Sequence, residues 1–281
     1  MLASRCAHSC FSVRRLRLFA DAAKVAGMIL NTLISGEGPP LVLLHGLFGA
    51  AKNLGLLSRG LSPQARVIAM DLRNHGDSPH GAAMDFATMA QDVADTCAAL
   101  GVSRVRVAGH SLGGKTAMML ALTQPDLVER LAVLDIAPIR YDHDYDDYVK
   151  AMQTIDLHPG LSRGEADAAL ARVVKAAPLR AFLLNNLSLG ATPHWRVGLD
   201  EIGAAMPNLL TWHTPQGAAP YAGPALFLRG GASDYVPDTA VPDIMRLFPH
   251  AAVETLEGAG HWLHADKPSQ VLESLRRFLF P

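Results

Sequence analysis

Cysteine is scarce in this chain: there are three in 281 residues, Cys6, Cys10 and Cys97. Two of them lie in an N-terminal stretch of unusual composition and the third in an expected helix. No disulfide framework is indicated, and the pattern suits a reducing compartment. Long apolar runs are also missing, and none approaches the ~18 residues of a membrane span. Net charge is nearly absent, at −1, which removes the basic face that nucleic-acid binding requires. Internal repeats, low-complexity tracts and a clear linker are absent too. What remains is a chain in which 49% of residues are hydrophobic, long enough for one or two domains.

Residues 1–27 differ from the rest. "MLASRCAHSCFSVRRLRLF" carries Arg5, Arg14, Arg15 and Arg17, with no acid before Asp21. The preferred reading is a poorly structured N-terminal extension, with translation starting at Met28 and a cytoplasmic location. The alternative is an Arg- and Ser-rich organellar transit peptide, which would place the protein in the mitochondrial matrix. "MILNTLISGEGPP" already reads as the first strand of a domain.

From there, short apolar runs alternate with helix-like stretches. The runs are "LVLLHG" (41–46), "RVIAMD" (66–71), "RVRVAG" (104–109), "RLAVLD" (130–135), "ALFLRG" (225–230) and "AVETLEG" (252–258). Apolar strands alternating with helices predict an α/β fold with a mostly parallel sheet covered on both faces. Ligands of such sheets bind at the carboxyl ends of the strands. His45, Asp71, Ser111, Asp135 and Asp234 all follow strands in this pattern. The alternation breaks between about 140 and 215. There "SRGEADAALARVVK" starts with Ser162 and Glu165 at capping-box spacing, and two further helical stretches follow. The expected organisation is a core of residues 28–139 and 216–281, with residues 140–215 inserted as a helical cap.

Chemistry is concentrated in "VAGHSLGGKTAM" (107–118). Strand, Gly-x-Ser-x-Gly and helix in succession would expose Ser111 on a sharp turn, with a helix N-terminus behind it. The glycines permit a tight turn because they lack a Cβ. A serine nucleophile needs a base. His261 in "EGAGHWLHADKP" follows the last strand on a glycine-bearing loop, in the chain order Ser, acid, His. His264, three residues on, reads as a surface-loop histidine. Two acids are candidates. Asp135 lies among apolar neighbours in "VLDIAP", where a buried carboxylate needs a partner such as His261. Asp234, in the polar turn "GASDYVP", can bond its own backbone. Asp135 is preferred, Asp234 is the alternative, and Ser233 or Asp234 would support the base. The oxyanion hole needs two backbone donors. The N–H of Leu112 and that of Leu47, after His45-Gly46, are the candidates.

"LLHGLFGAAKNLG", "DLRNHGDSPH", "GHSLGGKTAM", "LDIAPIRY" and "GAGHWLHADKP" together resemble α/β-hydrolase fold esterases. They look most like the group of abhydrolase-domain-containing protein 11 and the YbfF-type esterases. The likeness runs from about residue 28 to the C-terminus. It implies hydrolysis of carboxylic esters or thioesters by a serine nucleophile, with no cofactor and no metal and with a small acyl ester or thioester as partner. Acyl-CoA is among the substrates it suggests. In that group the acid maps to Asp135, whereas many other α/β-hydrolases keep theirs where Asp234 stands.

Other features carry two readings each. "DLRNHGDS" (71–78) is read as a hydrogen-bonded turn shaping the floor of the site. Lys115 either attracts anionic substrates to the cleft or is a structural or solvated lysine. "YDHDYDDY" (141–148) is a charge-rich approach to the cap rather than a metal site, which would want a shaped loop with glycine. Phe48, Trp195, Trp212 and Trp262 are candidates for an acyl pocket or for the core, with Phe48 and Trp262 preferred for substrate binding. A carbon–carbon bond hydrolase or a cofactor-free haloperoxidase would use the same triad. A binding protein that keeps the fold without the chemistry is the remaining alternative.

Overall fold

The computed structural model describes residues 28–142 and 145–281. The expectations for residues 1–27, including those for Cys6 and Cys10, lie outside these, as do His143 and Asp144 of the charge-rich stretch.

The chain enters the fold through β1 (Thr32–Ser35) and β2 (Pro40–Leu44), then alternates: α1 (Gly55–Leu61), β3 (Arg66–Met70), α2 (Phe86–Ala99), β4 (Val105–His110), α3 (Leu112–Thr123) and β5 (Val128–Leu134). It next leaves the sheet for α4 (Asp146–Gln153), α5 (Arg163–Leu170) and α6 (Ala177–Leu184). A two-residue pairing of β6 (Leu187–Ser188) with β7 (His194–Trp195) follows, and then α7 (Leu199–Leu210). It returns as β8 (Ala225–Gly230), α8 (Val241–Leu247), β9 (Ala251–Leu256), α9 (Leu263–Asp266) and α10 (Pro268–Leu279). Seven strands form one sheet in the order β1-β3-β2-β4-β5-β8-β9. Only the β1–β3 pairing in it is antiparallel.

Both faces of the sheet are covered. Val42, Leu44, Ile68, Met70, Val107 and Val133 meet α2 and α3 on one side. Leu41, Leu43, Val67, Ala69, Ala108 and Leu226 meet α1 and α10 on the other. Alternate residues of a strand go to opposite faces. Two buried faces therefore produce continuous apolar runs, the form these strands take in the sequence. Val271, Leu275 and Leu279 recur at every fourth position of α10 and make its buried stripe.

Local signals account for the helix ends. Asp85 caps α2 by accepting the Thr88 N–H at 2.8 Å, and Gly101 follows its end at φ +69°. Ser162 and Glu165 form the expected capping box on α5, with bonds of 3.2 and 2.8 Å. In α4, Asp146 and Asp147 occupy the first turn, where the helix dipole favours negative charge. The β6–β7 pairing is an element the sequence pattern did not suggest, being too short to show a period.

Five strands lie side by side in the order β2, β4, β5, β8, β9. Their parallel run brings the residues after their carboxyl ends to a single edge. His45, Ser111, Asp135, Ser233 and His261 follow these five strands in turn. No described helix is long and apolar enough to cross a membrane.

Candidate active site

Ser111 stands between β4 and α3 with φ 51° and ψ −117°. A non-glycine residue at positive φ is uncommon and strained. The turn's left-handed residue is thus the serine itself. The glycines are needed for space. A Cβ on Gly109 would stand 2.2 Å from the Gly113 carbonyl oxygen, and one on Gly113 would stand 2.5 Å from that of Leu44. The elbow is held down by the Ser111 N–H, which donates to the Leu134 carbonyl at 3.1 Å. Leu112 is the first residue of α3, where helix geometry supplies no acceptor for its N–H.

His261 and Asp135 meet directly. The imidazole Nδ1 donates to Asp135 Oδ2 at 2.8 Å, with the histidine side chain 13% exposed and the aspartate fully buried. Because a carboxylate only accepts, Nδ1 carries a proton, so in the neutral ring the lone pair is on Nε2. Asp135 also accepts the Gly230 N–H at 2.7 Å and the Ser233 hydroxyl at 2.5 Å. Three donors converge on it, which offsets the cost of burying its charge. Asp234 lies exposed in the turn beyond Ser233. Ser111 and His261 line one cavity together with Leu47, Phe48 and Trp262.

The loop after β2 is tied down by two histidines. His45 donates from Nδ1 to the Gly46 carbonyl at 2.8 Å and accepts the Leu72 N–H at Nε2, at 3.0 Å. His75 donates from Nδ1 to the Arg73 carbonyl at 2.8 Å and accepts the Phe48 N–H at Nε2, at 3.1 Å. Burial lowers the pKa of both, that of His75 to about 3, so both rings are neutral. Phe48 itself is left-handed, at φ 59°. Asp71 secures the same loop through the Ala51 N–H at 2.7 Å. Arg73 is pinned to Asp92 by two bonds of 2.6 and 2.7 Å. "DLRNHGDS" is therefore a hydrogen-bonded turn whose side chains reach the site's loop.

His110, the residue before Ser111, has a role the motif does not announce. Its Nε2 donates to the His261 carbonyl at 2.8 Å, fixing the backbone under the imidazole. Its own pKa is pushed well down, first by burial and then by neighbouring histidines. Gly46 is required beside it, since a Cβ there would lie 2.9 Å from His110 Nδ1.

One reading needs correction, and two that carried alternatives resolve. His264 is not a surface-loop residue. It sits on α9, lines the cavity and packs edge-on to His110 at 4.7 Å. Burial lowers its pKa to about 4. The loop reading failed because α9 spans only four residues, too few to show a helical period. Trp212 packs against Phe86 at 6.1 Å, and Trp195 stands on β7. Neither is among the residues lining the cavity, whereas Phe48 and Trp262 are. Lys115 is buried, and its ammonium donates to the carbonyls of Ile139 at 3.0 Å and Thr211 at 3.4 Å. Tyr141, Tyr145, Tyr148 and Tyr235 also line the cavity and were not singled out in sequence. Tyrosine spacing there follows no period that marks a site.

The chain belongs to the α/β-hydrolase family and is a carboxylic-ester hydrolase. A family model described as alpha/beta hydrolase fold matches residues 39–156. The sn-1-specific diacylglycerol lipase ABHD11 of Mus musculus is 40% identical over 258 residues, which cover 88% of this chain and 83% of that protein. Esterase YbfF of Escherichia coli (strain K12) is 35% identical over 241 residues, covering 85% and 92%. Among solved structures, a marine microorganism esterase superposes with a TM-score of 0.86 at 35% identity, over 90% of this chain and all of that one.

Proposed function

We propose that this hydrolase cleaves its ester through an acyl-enzyme on Ser111, with His261 as base and Asp135 as the acid that orients it. His261 Nε2 takes the Ser111 proton as the hydroxyl oxygen attacks the carbonyl carbon. The oxyanion is received by the N–H groups of Leu47 and Leu112. The imidazolium returns the proton to the leaving alcohol or thiol. Water then repeats the sequence on the acyl-enzyme and releases the acid. The observation that carries this reading is the Asp135–His261 bond of 2.8 Å, in a cavity that His261 shares with Ser111.

In the same reading, residues 28–139 and 216–281 form the core and residues 140–215 a cap over the site. Leu179 and Phe182 of α6, with Met206 and Leu209 of α7, supply apolar walls to the cavity beside Phe48 and Trp262. Such walls suit an acyl chain. The relative named as a diacylglycerol lipase makes a glyceride ester one substrate to try, and acyl-CoA thioesters another.

Ser111→Ala tests the assignment. A fluorophosphonate probe should label the wild type and not the variant, and turnover should fall by about 10⁵–10⁶ with the fold intact. Equal labelling of both proteins overturns it. Initial rates on p-nitrophenyl esters, acyl-CoA thioesters and a diacylglycerol of graded chain length would fix the substrate.

A further inference from the structure

The ring of Tyr235 lies flat on the imidazole of His261, with centroids 3.5 Å apart and planes inclined by 15°. Tyr235 belongs to the loop after β8, two residues beyond Ser233. It is held at several points. The Tyr141 hydroxyl accepts the Ala137 N–H at 2.8 Å and donates to the Tyr235 carbonyl at 2.6 Å. The Tyr235 N–H donates to Ser233 Oγ at 3.3 Å, the same hydroxyl that bonds Asp135. The Tyr235 hydroxyl shares a hydrogen bond with that of Tyr145. Tyr145 is the residue on which α4 starts, within the segment that leaves the sheet.

We propose that Tyr235 is a positioning residue for His261: its ring fixes the imidazole plane and stabilises the imidazolium, and its hydroxyl couples that ring to α4 through Tyr145. This rests on the reading of His261 as the base. An aromatic face attracts a cation, most strongly where water is excluded. In the proposed reaction His261 gains charge when it takes the serine proton, so the stack acts in the step that creates that charge. Asp135 serves the ring edge at Nδ1, while Tyr235 serves its face. Among the described residues, the other groups packed against His261 add no formal charge. His110 and His264 are kept neutral by burial. The phenols of Tyr141, Tyr145 and Tyr235 have pKa values raised above the usual range, chiefly by burial, so none contributes a phenolate. Asp234 is exposed and lies in the same turn.

The hydroxyl pair carries the second half of the proposal. A ligand that shifts α4 through Tyr145 or Tyr148, both of which line the cavity, would move Tyr235 and with it the base. Seating of the substrate and alignment of His261 then become one event.

The test uses Tyr235→Leu, Tyr235→Phe, Tyr145→Phe and the double Phe variant of the whole chain. Two readouts are taken: the His261 pKa by NMR titration in the absence of substrate, and the pH profile of kcat/KM on one ester. Leucine still excludes water but offers no π face. The His261 pKa should therefore fall by roughly half a unit to one unit in Tyr235→Leu, and return in Tyr235→Phe. A role in packing alone would lower kcat/KM without moving the pKa. Each Phe variant breaks the same hydroxyl link, so the two should lose a similar factor in kcat/KM, about threefold to tenfold. The double variant should be no worse than either single one. An unmoved pKa in Tyr235→Leu overturns the stacking half, and multiplying losses in the double variant overturn the coupling half. An NMR shift that the kinetic profile does not follow leaves the stack standing and instead removes His261 as the base.

Discussion

His45 and His75 stand with ring centroids 5.0 Å apart, and between them they tie the Gly46–Phe48 loop to the 72–75 turn. Each uses both ring nitrogens, one as donor and one as acceptor. Neither is placed to do chemistry on a substrate in the proposed mechanism. Their effect is to fix a backbone whose Leu47 N–H is a proposed oxyanion donor. A donor works in proportion to how little it must move when charge develops. His75→Ala should therefore lower kcat by about tenfold to a hundredfold with little change in KM, because one donor is loosened and not lost. Steady-state kinetics on a single ester decide this. A kcat equal to wild type would show that the loop holds itself.

The same ring carries an acid-stability prediction. The pKa of His75 falls from 6.5 to about 3, first through burial and then through His45. A folded pKa below the unfolded one means that the unfolded chain binds the proton first. The contribution of the neutral ring is full above pH 6.5 and is lost as pH falls towards 3. The slope approaches ~1.4 kcal/mol per pH unit inside that window. His75→Gln keeps an acceptor for the Phe48 N–H and cannot titrate. Urea unfolding at pH 6, 5 and 4 should show wild type losing stability faster than this variant. Parallel curves would mean that the ring is protonated without cost.

How far the sequence revealed this arrangement depends on the length of each signal. Six strands announce themselves: five are runs of apolar residues largely buried on both faces, and the sixth, edge strand β9, is a shorter apolar signal that is only partly buried. Ser111 is visible because its neighbours are constrained: Gly109 and Gly113 are the residues that the close backbone contacts allow. His110 and Tyr235 were missed for the opposite reason. Their contacts to His261 cross 151 and 26 positions of the chain, and nothing local distinguishes them from a core histidine and a loop tyrosine. The glycine-based account of the elbow located the turn and the reason for its glycines, whereas the positive φ of Ser111 is not written in a motif string.

Asp135 and Asp234 offer a contrast that mutation can read. Asp135 sits at φ 52° with three donors on its carboxylate, while Asp234 is exposed. Asp135→Asn keeps the shape but replaces one acceptor oxygen with an amide that donates. The amide then favours the imidazole tautomer with its proton on Nε2, which cannot accept from serine. A fall in kcat of roughly 10³–10⁴ is expected. Asp234→Asn should stay within about threefold of wild type, because its side chain is exposed and the bonds to Asp135 come from Gly230, Ser233 and His261. The two rates, taken at saturating ester, test the choice of acid, and the reverse order of damage would transfer that role to Asp234.

Lys115 supplies a prediction at alkaline pH. Its ammonium joins the carbonyls of Ile139 and Thr211, which lie just before α4 and just after α7. The ring faces of Tyr141 and Phe86 stand 4.7 and 5.3 Å from it. Burial lowers its pKa from 10.5 to about 7. Below pH 7 both folded and unfolded chains hold the proton, and the folded state bears the cost of a buried charge. Between about pH 7 and 10.5 the unfolded chain holds more of it, so stability rises with pH, by at most ~1.4 kcal/mol per unit. The neutral amine keeps two N–H donors, enough for two carbonyls. The buried tyrosines act in the opposite direction near pH 10 and above, because their raised pKa values let the unfolded chain ionise first. The useful window is therefore pH 7 to 9, and the useful quantity is a difference. Lys115→Met fills similar space without a titrating group. The stability of wild type minus that of Lys115→Met should increase from pH 7 to pH 9 in urea titrations. A difference that stays flat would show that the ammonium remains charged in the folded protein, held by its carbonyls and rings more firmly than burial opposes it.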